Sequence, residues 1–226
     1  MDGRFAKNLL YVLTSCKDPA RDAEFNDWYD NTHLPDVLGS GLLRNPVRFV
    51  RAAGTPEDQE PRYLATWESD SDAPAKLLQE VKELGQALLR QGRVHPSLRL
   101  KHMGMLRRID DGFWSRRHGH EVAGVMVVSS NCTDPAREDE FNDWYSNIHL
   151  PDILSTGAFH TDYRYEDIDP SEQVGKYWAI YETDMDPVRA AEVLDARREW
   201  FVSNNRRTDT IAPVRRSLFR RIHPPA

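Results

Sequence analysis

The sequence predicts an α+β protein made of two similar units, each with the order β-α-β-β-α-β, packed sheet to sheet. Three observations lead there. A 26-residue segment occurs twice, at an offset of 116: residues 16–41 read CKDPARDAEFNDWYDNTHLPDVLGSG and residues 132–157 read CTDPAREDEFNDWYSNIHLPDILSTG, identical at 18 positions. Weaker echoes follow each copy, YLATWE at 63–68 against YWAIYE at 177–182 and MLRRI at 105–109 against LFRRI at 218–222. The chain of 226 residues is about twice this period. A period near half the chain is too long for a solenoid and suits two copies of one small domain. The expected division is a first unit at 1–111, a polar, glycine-containing linker at 112–120 and a second unit at 121–226.

Each element has a local reason. Residues 9–14 and 122–129 are short, apolar and β-prone, as buried strands are. Asp18-Pro19 and Asp134-Pro135 follow. Aspartate caps a helix start and proline fits the first turn, so a helix begins there. It is expected to stop or kink near His33 and His149, because Pro35 and Pro151 disfavour helical geometry just before them. Residues 47–51 and 63–68 read as strands, as do 163–166 and 177–182. A second amphipathic helix carries Leu77, Leu78, Val81, Leu84 and Leu88 on one stripe, with Val193, Leu194 and Phe201 as counterparts. Residues 100–109 and 214–222 supply last strands. This order is the split βαβ, or ferredoxin-like, unit. It lays both helices on one sheet face and leaves the other face to be covered, which a second copy can do across a pseudo-two-fold. Leftover sheet edges would then permit a further dimer.

Composition narrows the function classes. There are 30 basic and 36 acidic residues, for a net charge of -6. A nucleic-acid binder would show a basic domain. The one basic cluster, Arg215, Arg216, Arg220 and Arg221, reads as the solvated face of a last strand. No apolar run reaches membrane-spanning length, no leader is read at the N-terminus, and two cysteines make no disulfide framework. The expectation is a cytoplasmic, reduced protein with neither nucleic acid nor membrane as partner, a monomeric pseudo-dimer or a homodimer. No glycine-rich phosphate loop, G-x-S-x-G or H-E-x-x-H occurs. His118 and His120 resemble a metal pair only loosely, so neither metal nor cofactor is expected.

The repeated pattern F-x-x-W-Y-x-x-x-H-x-P-D resembles the EthD-like branch of the dimeric α/β-barrel superfamily. Phe25, Trp28, Tyr29, His33, Pro35 and Asp36 carry it, and so do Phe141, Trp144, Tyr145, His149, Pro151 and Asp152. The resemblance implies a pseudo-dimeric α/β barrel acting in aromatic, polyketide or xenobiotic metabolism. The wider superfamily includes cofactor-free monooxygenases, cyclases, dehydratases, lactone isomerases and haem-binding relatives, so the fold alone does not choose the chemistry.

The residues themselves suggest a site. At helical spacing Phe25, Tyr29 and His33 form one stripe with Trp28 beside it, as do Phe141, Tyr145, His149 and Trp144. Such a stripe can wall a pocket for a flat aromatic ligand, or it can be ordinary core. Imidazole is a common general acid or base. Asp36 and Asp152 could orient His33 and His149, or could cap a helical turn. The first expectation is an enzyme that moves a proton on a small aromatic or polyketide-like molecule by His33, His149 or both, for dehydration, cyclisation, isomerisation or decarboxylation. A cofactor-free or haem-linked monooxygenase is the second, and a non-catalytic ligand-binding or stress protein the third.

Overall fold

The computed structural model describes residues 1–52, 61–116, 121–171 and 173–225. The first half contributes β1 (Asn8–Cys16), α1 (Asp22–Trp28), α2 (Leu34–Gly39), β2 (Arg44–Arg51), β3 (Tyr63–Ser69), α3 (Pro74–Arg90) and β4 (Leu98–Ser115). The second contributes β5 (Gly124–Cys132), α4 (Glu138–Trp144), α5 (Leu150–Ser155), β6 (Thr161–Asp167), β7 (Tyr177–Thr183), α6 (Pro187–Asp195), α7 (Arg198–Ser203) and β8 (Ile211–His223).

The eight strands close into one antiparallel barrel in the order β1-β3-β2-β8-β5-β7-β6-β4. Each half therefore supplies a contiguous four-stranded sheet, β4-β1-β3-β2 and β6-β7-β5-β8. The two sheets face each other across the barrel interior and are sealed at both sides. β2 pairs with β8 from Arg48↔His223 to Arg51↔Phe219, and β4 with β6 from Leu106↔Asp167 to Ser115↔Thr161. The expected α+β, pseudo-dimeric barrel is present. The expected spare sheet edges are not, because closure pairs them with each other. Of the expected linker, Gly112–Ser115 continue β4, so the division at 111 falls inside a strand. Residues 117–120, and with them His118 and His120, lie outside the described residues.

Both faces of each sheet are covered, so the inner strands β1, β3, β5 and β7 are buried along nearly their whole length. Along β1, Leu9, Tyr11 and Leu13 turn into the barrel, where they meet Phe49, Val125, Tyr163 and Trp178. Leu10 turns outward to Phe25, Tyr29 and Leu77 under the helices. The second helix layer is built alike from Met126, Phe141, Tyr145 and Leu194. Full burial of such a side chain contributes roughly 1.5–3 kcal/mol.

The motif helix departs from expectation in an informative way. Of the expected stop or kink near His33 and His149, the stop does not occur. Instead one π-helical turn, Tyr29–His33 and Tyr145–His149, joins α1 to α2 and α4 to α5. The Leu34 N–H reaches the Tyr29 carbonyl, five residues back, and Leu150 reaches Tyr145 in the same way. Proline has no N–H and crowds the carbonyl four residues earlier. One extra residue in the turn relieves that crowding, and the helix resumes with proline in its first turn. Gly41 and Gly157 then end α2 and α5 at φ +71° and +74°, the left-handed region where glycine carries no Cβ penalty.

Candidate active site

The π turn decides where the imidazoles go. In a regular α-helix residues five apart lie on different sides. The wide turn instead brings His33 over Trp28, with ring centroids 5.0 Å apart at 26°, and sets the Tyr29 ring edge-on at 4.8 Å. His149 stacks on Trp144 at 4.7 Å and 22°, with Tyr145 edge-on at 4.9 Å. Both imidazoles are partly exposed, and each opens on a cavity between its helices and its sheet.

The first-half cavity holds about 500 Å³ and is walled by Leu10, Val12, Tyr29, His33, Trp67, Val81, Leu84, Leu88 and Met103. Among the described residues Lys82 is its one charged lining residue. The second-half cavity holds about 370 Å³ and includes Trp144, Tyr145, His149, Ile153, Tyr181 and Phe201. Four arginines, Arg198, Arg206, Arg207 and Arg216, also line it, with Asp195. Volumes of this order suit small organic ligands.

The expected stripe is thus divided. Tyr29, His33, Trp144, Tyr145 and His149 line cavities. Phe25 and Phe141 do not: both are fully buried, packed on Tyr63 and Tyr177. Trp28 backs His33 instead of lining the cavity and donates its indole N–H to the Arg93 carbonyl at 2.8 Å. Asp36 and Asp152 do not orient the imidazoles by hydrogen bond. Asp36 accepts two hydrogen bonds from Arg93, both 2.7 Å, and Asp152 accepts from Arg206 at 2.7 and 3.0 Å. A bidentate guanidinium outcompetes a neutral ring N–H for a carboxylate. With Trp144 donating to the Arg206 carbonyl, each Trp–Arg–Asp set pins the segment after the second helix to the motif helix.

Burial pushes the His33 and His149 pKa values down to about 4, mainly because a charged ring is poorly solvated there. Asp36 and Asp152 oppose the shift; Arg48 adds to it at His33, and Arg164 and Arg207 at His149. Both rings are neutral near pH 7. Among the described residues no group of three or more His, Cys, Asp or Glu side chains is placed to hold a metal ion. His33 and His149 are the cavity-lining imidazoles able to ligate one.

Behind each tyrosine lies a buried arginine. Arg48, fully buried, stacks 4.0 Å from the Tyr29 ring centre, pairs with Asp30 and donates to the Asn26 amide oxygen at 2.7 Å. Asn26 is therefore an internal anchor, and it also donates to the Tyr63 hydroxyl at 2.8 Å. Arg164 stacks 4.3 Å from the Tyr145 ring centre. Its partners are neutral: the Asn142 side-chain and backbone oxygens and Ser146 Oγ. Position 30 is aspartate and position 146 serine, so the second half buries a guanidinium without an ion-pair partner among the described residues.

Sequence reasoning missed several cavity residues. Trp67 and Tyr181 sit at equivalent places in the YLATWE and YWAIYE segments, and outward alternation along the strand marked them. Arg216, read as part of a solvated face, lines the second cavity and pairs with Asp195 at 2.9 Å. Arg198 and Arg207 had no signal, because the second half breaks its outer helix into α6 and α7 where the first keeps one α3. Arg21 and Arg137 pair with Glu24 and Glu140, away from both cavities.

No family model matches the chain. Solved structures share its fold. That of an anthrone oxidase-like protein covers 99% of this chain and 94% of its own, at a TM-score of 0.58 and 12% identity. A Lactobacillus acidophilus protein described as a monooxygenase candidate covers 95% and 94%, at 0.53 and 8%. At such identities the likeness concerns the fold, a dimeric α/β barrel completed within one chain. A curated relative, core atranone cluster protein 1 of Stachybotrys chlorohalonatus, is 47% identical over 60 residues. The match takes in 26% of this chain and 24% of that relative, so the chain spans about a quarter of the relative's length. Among the described residues no helix is long and apolar enough to cross a membrane.

Proposed function

We propose that this chain is an enzyme that oxygenates a flat, apolar, polyketide-like aromatic in the first-half cavity, with His33 as the base. One observation carries the reading: an apolar cavity of about 500 Å³ with a neutral imidazole in its wall. An anthrone-like ring system has a CH₂ across its central ring from a carbonyl, and conjugation through the flanking arenes makes it acidic. His33 takes one of its protons and leaves a delocalised enolate. Stacking on Trp28 favours the imidazolium that forms, and the enolate beside it supplies the counter-charge. The enolate passes electrons to O₂, a hydroperoxide forms at the former CH₂ carbon, and loss of water leaves a carbonyl. The balance is CH₂ plus O₂ to C=O plus H₂O, with the proton returned from His33 to the departing oxygen.

The same proton transfer serves dehydration, cyclisation, isomerisation or decarboxylation. What favours oxygenation is the company of the fold: a structural neighbour named as anthrone oxidase-like and another described as a monooxygenase candidate, beside a relative named for an atranone cluster. The repeated motif supports placing the chain in the EthD-like branch, as a tandem duplication. The test follows O₂ uptake with anthrone as probe. A positioned base contributes roughly 10²–10⁴-fold, and His33→Ala should lose that much with its fold intact. Undiminished turnover in His33→Ala removes the assignment. Conversion that continues without O₂ replaces oxygenation by a lyase or isomerase reaction.

A further inference from the structure

The second-half cavity is built for a different ligand. Its four lining arginines face only two carboxylates, Asp152 on Arg206 and Asp195 on Arg216. Arg198 and Arg207 have no ion-pair or hydrogen-bond partner among the described residues. The mouth therefore carries an excess of about two positive charges on a protein whose net charge is -6. Arg164, buried behind Tyr145 without a carboxylate partner, adds a third cation at the back. Arg198 and Arg207 are exposed to solvent at the mouth, where the excess makes a positive potential that draws an anion in.

The floor adds a second requirement. Tyr145 and Tyr181 are buried, and their hydroxyls lie 3.1 Å apart. Two hydroxyl protons share one hydrogen bond, so one O–H proton has no acceptor among the described groups. Asp162, buried nearby on β6, does not take it, since neither of its oxygens has a hydrogen-bond partner. A buried donor left unmade is costly, and a ligand oxygen reaching the floor would satisfy it. Between floor and mouth the walls are Trp144, Ile153, Leu194 and Phe201.

We propose that the second-half cavity binds a flat aromatic carboxylate whose far end carries a hydroxyl or carbonyl oxygen. Arg198 and Arg207 take the carboxylate, Tyr181 and Tyr145 take the far oxygen, and Trp144 and Phe201 flank the rings. The first half has no equivalent, because Trp67 stands where Tyr181 does and Asp30 neutralises Arg48. The proposal is independent of the reaction assigned to the first cavity.

The test titrates the intact chain with fluorescent 6-hydroxy-2-naphthoate. Saturable binding is expected, at least tenfold tighter than for 6-hydroxy-2-naphthamide, and weakening as salt is added. The double variant Arg198→Ala/Arg207→Ala should weaken the acid tenfold or more and leave the amide unchanged. Tyr181→Phe should erase the preference for the hydroxy acid over plain 2-naphthoate. Leu84→Trp, which fills the first cavity, should leave acid binding intact. Equal affinity for acid and amide overturns the proposal. So does wild-type acid binding in the arginine double variant, or loss of acid binding in a folded Leu84→Trp chain.

Discussion

The two cavities start from one helix sequence and end as different chemical environments. Phe25 to Asp36 and Phe141 to Asp152 repeat nearly letter for letter, and each yields a π turn, a tryptophan-stacked imidazole and an arginine-clamped aspartate. What diverges comes from elsewhere: Trp67 against Tyr181 on the sheet, α3 against the broken α6–α7, and Asp30 against Ser146 beside the buried arginine. The shared helix fixes where the imidazole stands, and the surrounding elements fix what it faces. A duplicated pattern is thus weak evidence for duplicated chemistry.

Removing each imidazole in turn separates the two halves most strongly. His33→Ala should cost roughly 10²–10⁴-fold in turnover. His149→Ala, in the arginine-lined cavity, should stay within a few-fold of the parent in the same O₂-uptake assay. Equal losses would mean that both halves work and that cavity polarity does not choose between them.

A second contrast concerns stability. Asp30→Ala strands the buried Arg48 guanidinium, and breaking a buried pair from one side costs about 3 kcal/mol. Ser146→Ala removes only a neutral acceptor from Arg164, worth about 1.5 kcal/mol. Urea unfolding of both variants gives the order directly. Ser146→Asp sharpens the point: installing the first half's carboxylate should raise the unfolding midpoint and weaken hydroxynaphthoate binding. Stronger acid binding in that variant would sink the electrostatic account of the second cavity.

The comparison also predicts one likeness. Both imidazoles have folded pKa values near 4 against an ordinary 6.5. The unfolded chain binds more protons between those values, so each ring's contribution is complete above pH 6.5 and is lost as pH falls toward 4. One pKa unit corresponds to 1.36 kcal/mol. Allowing for the partial exposure of the rings, each should account for about 2 kcal/mol of that loss. Denaturation between pH 7 and 4 should show His33→Gln and His149→Gln flattening the profile by similar amounts. A flat parent profile would mean that neither ring resists protonation.

How much of this was legible in the sequence differs by element. The order of strands and helices was, because Leu9 to Thr14 and its counterpart alternate between two covered faces and Asp18-Pro19 announces a helix start. The barrel was legible through the motif's resemblance and not through local pattern, since the β2–β8 and β4–β6 pairings join residues up to 175 positions apart, Arg48 with His223. The π turn was hidden because proline in a helix more often ends it, and only the geometry reveals that one added residue absorbs the ring. That His33 and His149 would stand in cavity walls was legible from their spacing beside the aromatic residues. The arginine partners of Asp36 and Asp152 were not legible, because Arg93 and Arg206 lie 57 and 54 residues away, beyond any local pattern.

Those clamps supply the smallest predicted effect, and a discriminating one. The Arg93–Asp36 and Arg206–Asp152 pairs join partly exposed guanidinium groups to carboxylates at the helix surface. Pairs of this kind contribute at most about 1 kcal/mol. Arg93→Ala and Arg206→Ala should therefore lower stability slightly and equally. Asp36→Asn should reduce turnover less than tenfold, since Asp36 touches Arg93 and acts on His33 only through space. If Asp36 instead held the imidazole in its working tautomer during the reaction, Asp36→Asn would approach the His33→Ala loss. The ratio of those two variants, measured in one assay, separates a clamp from a catalytic partner, and the bidentate contact with Arg93 is the reason to expect the clamp.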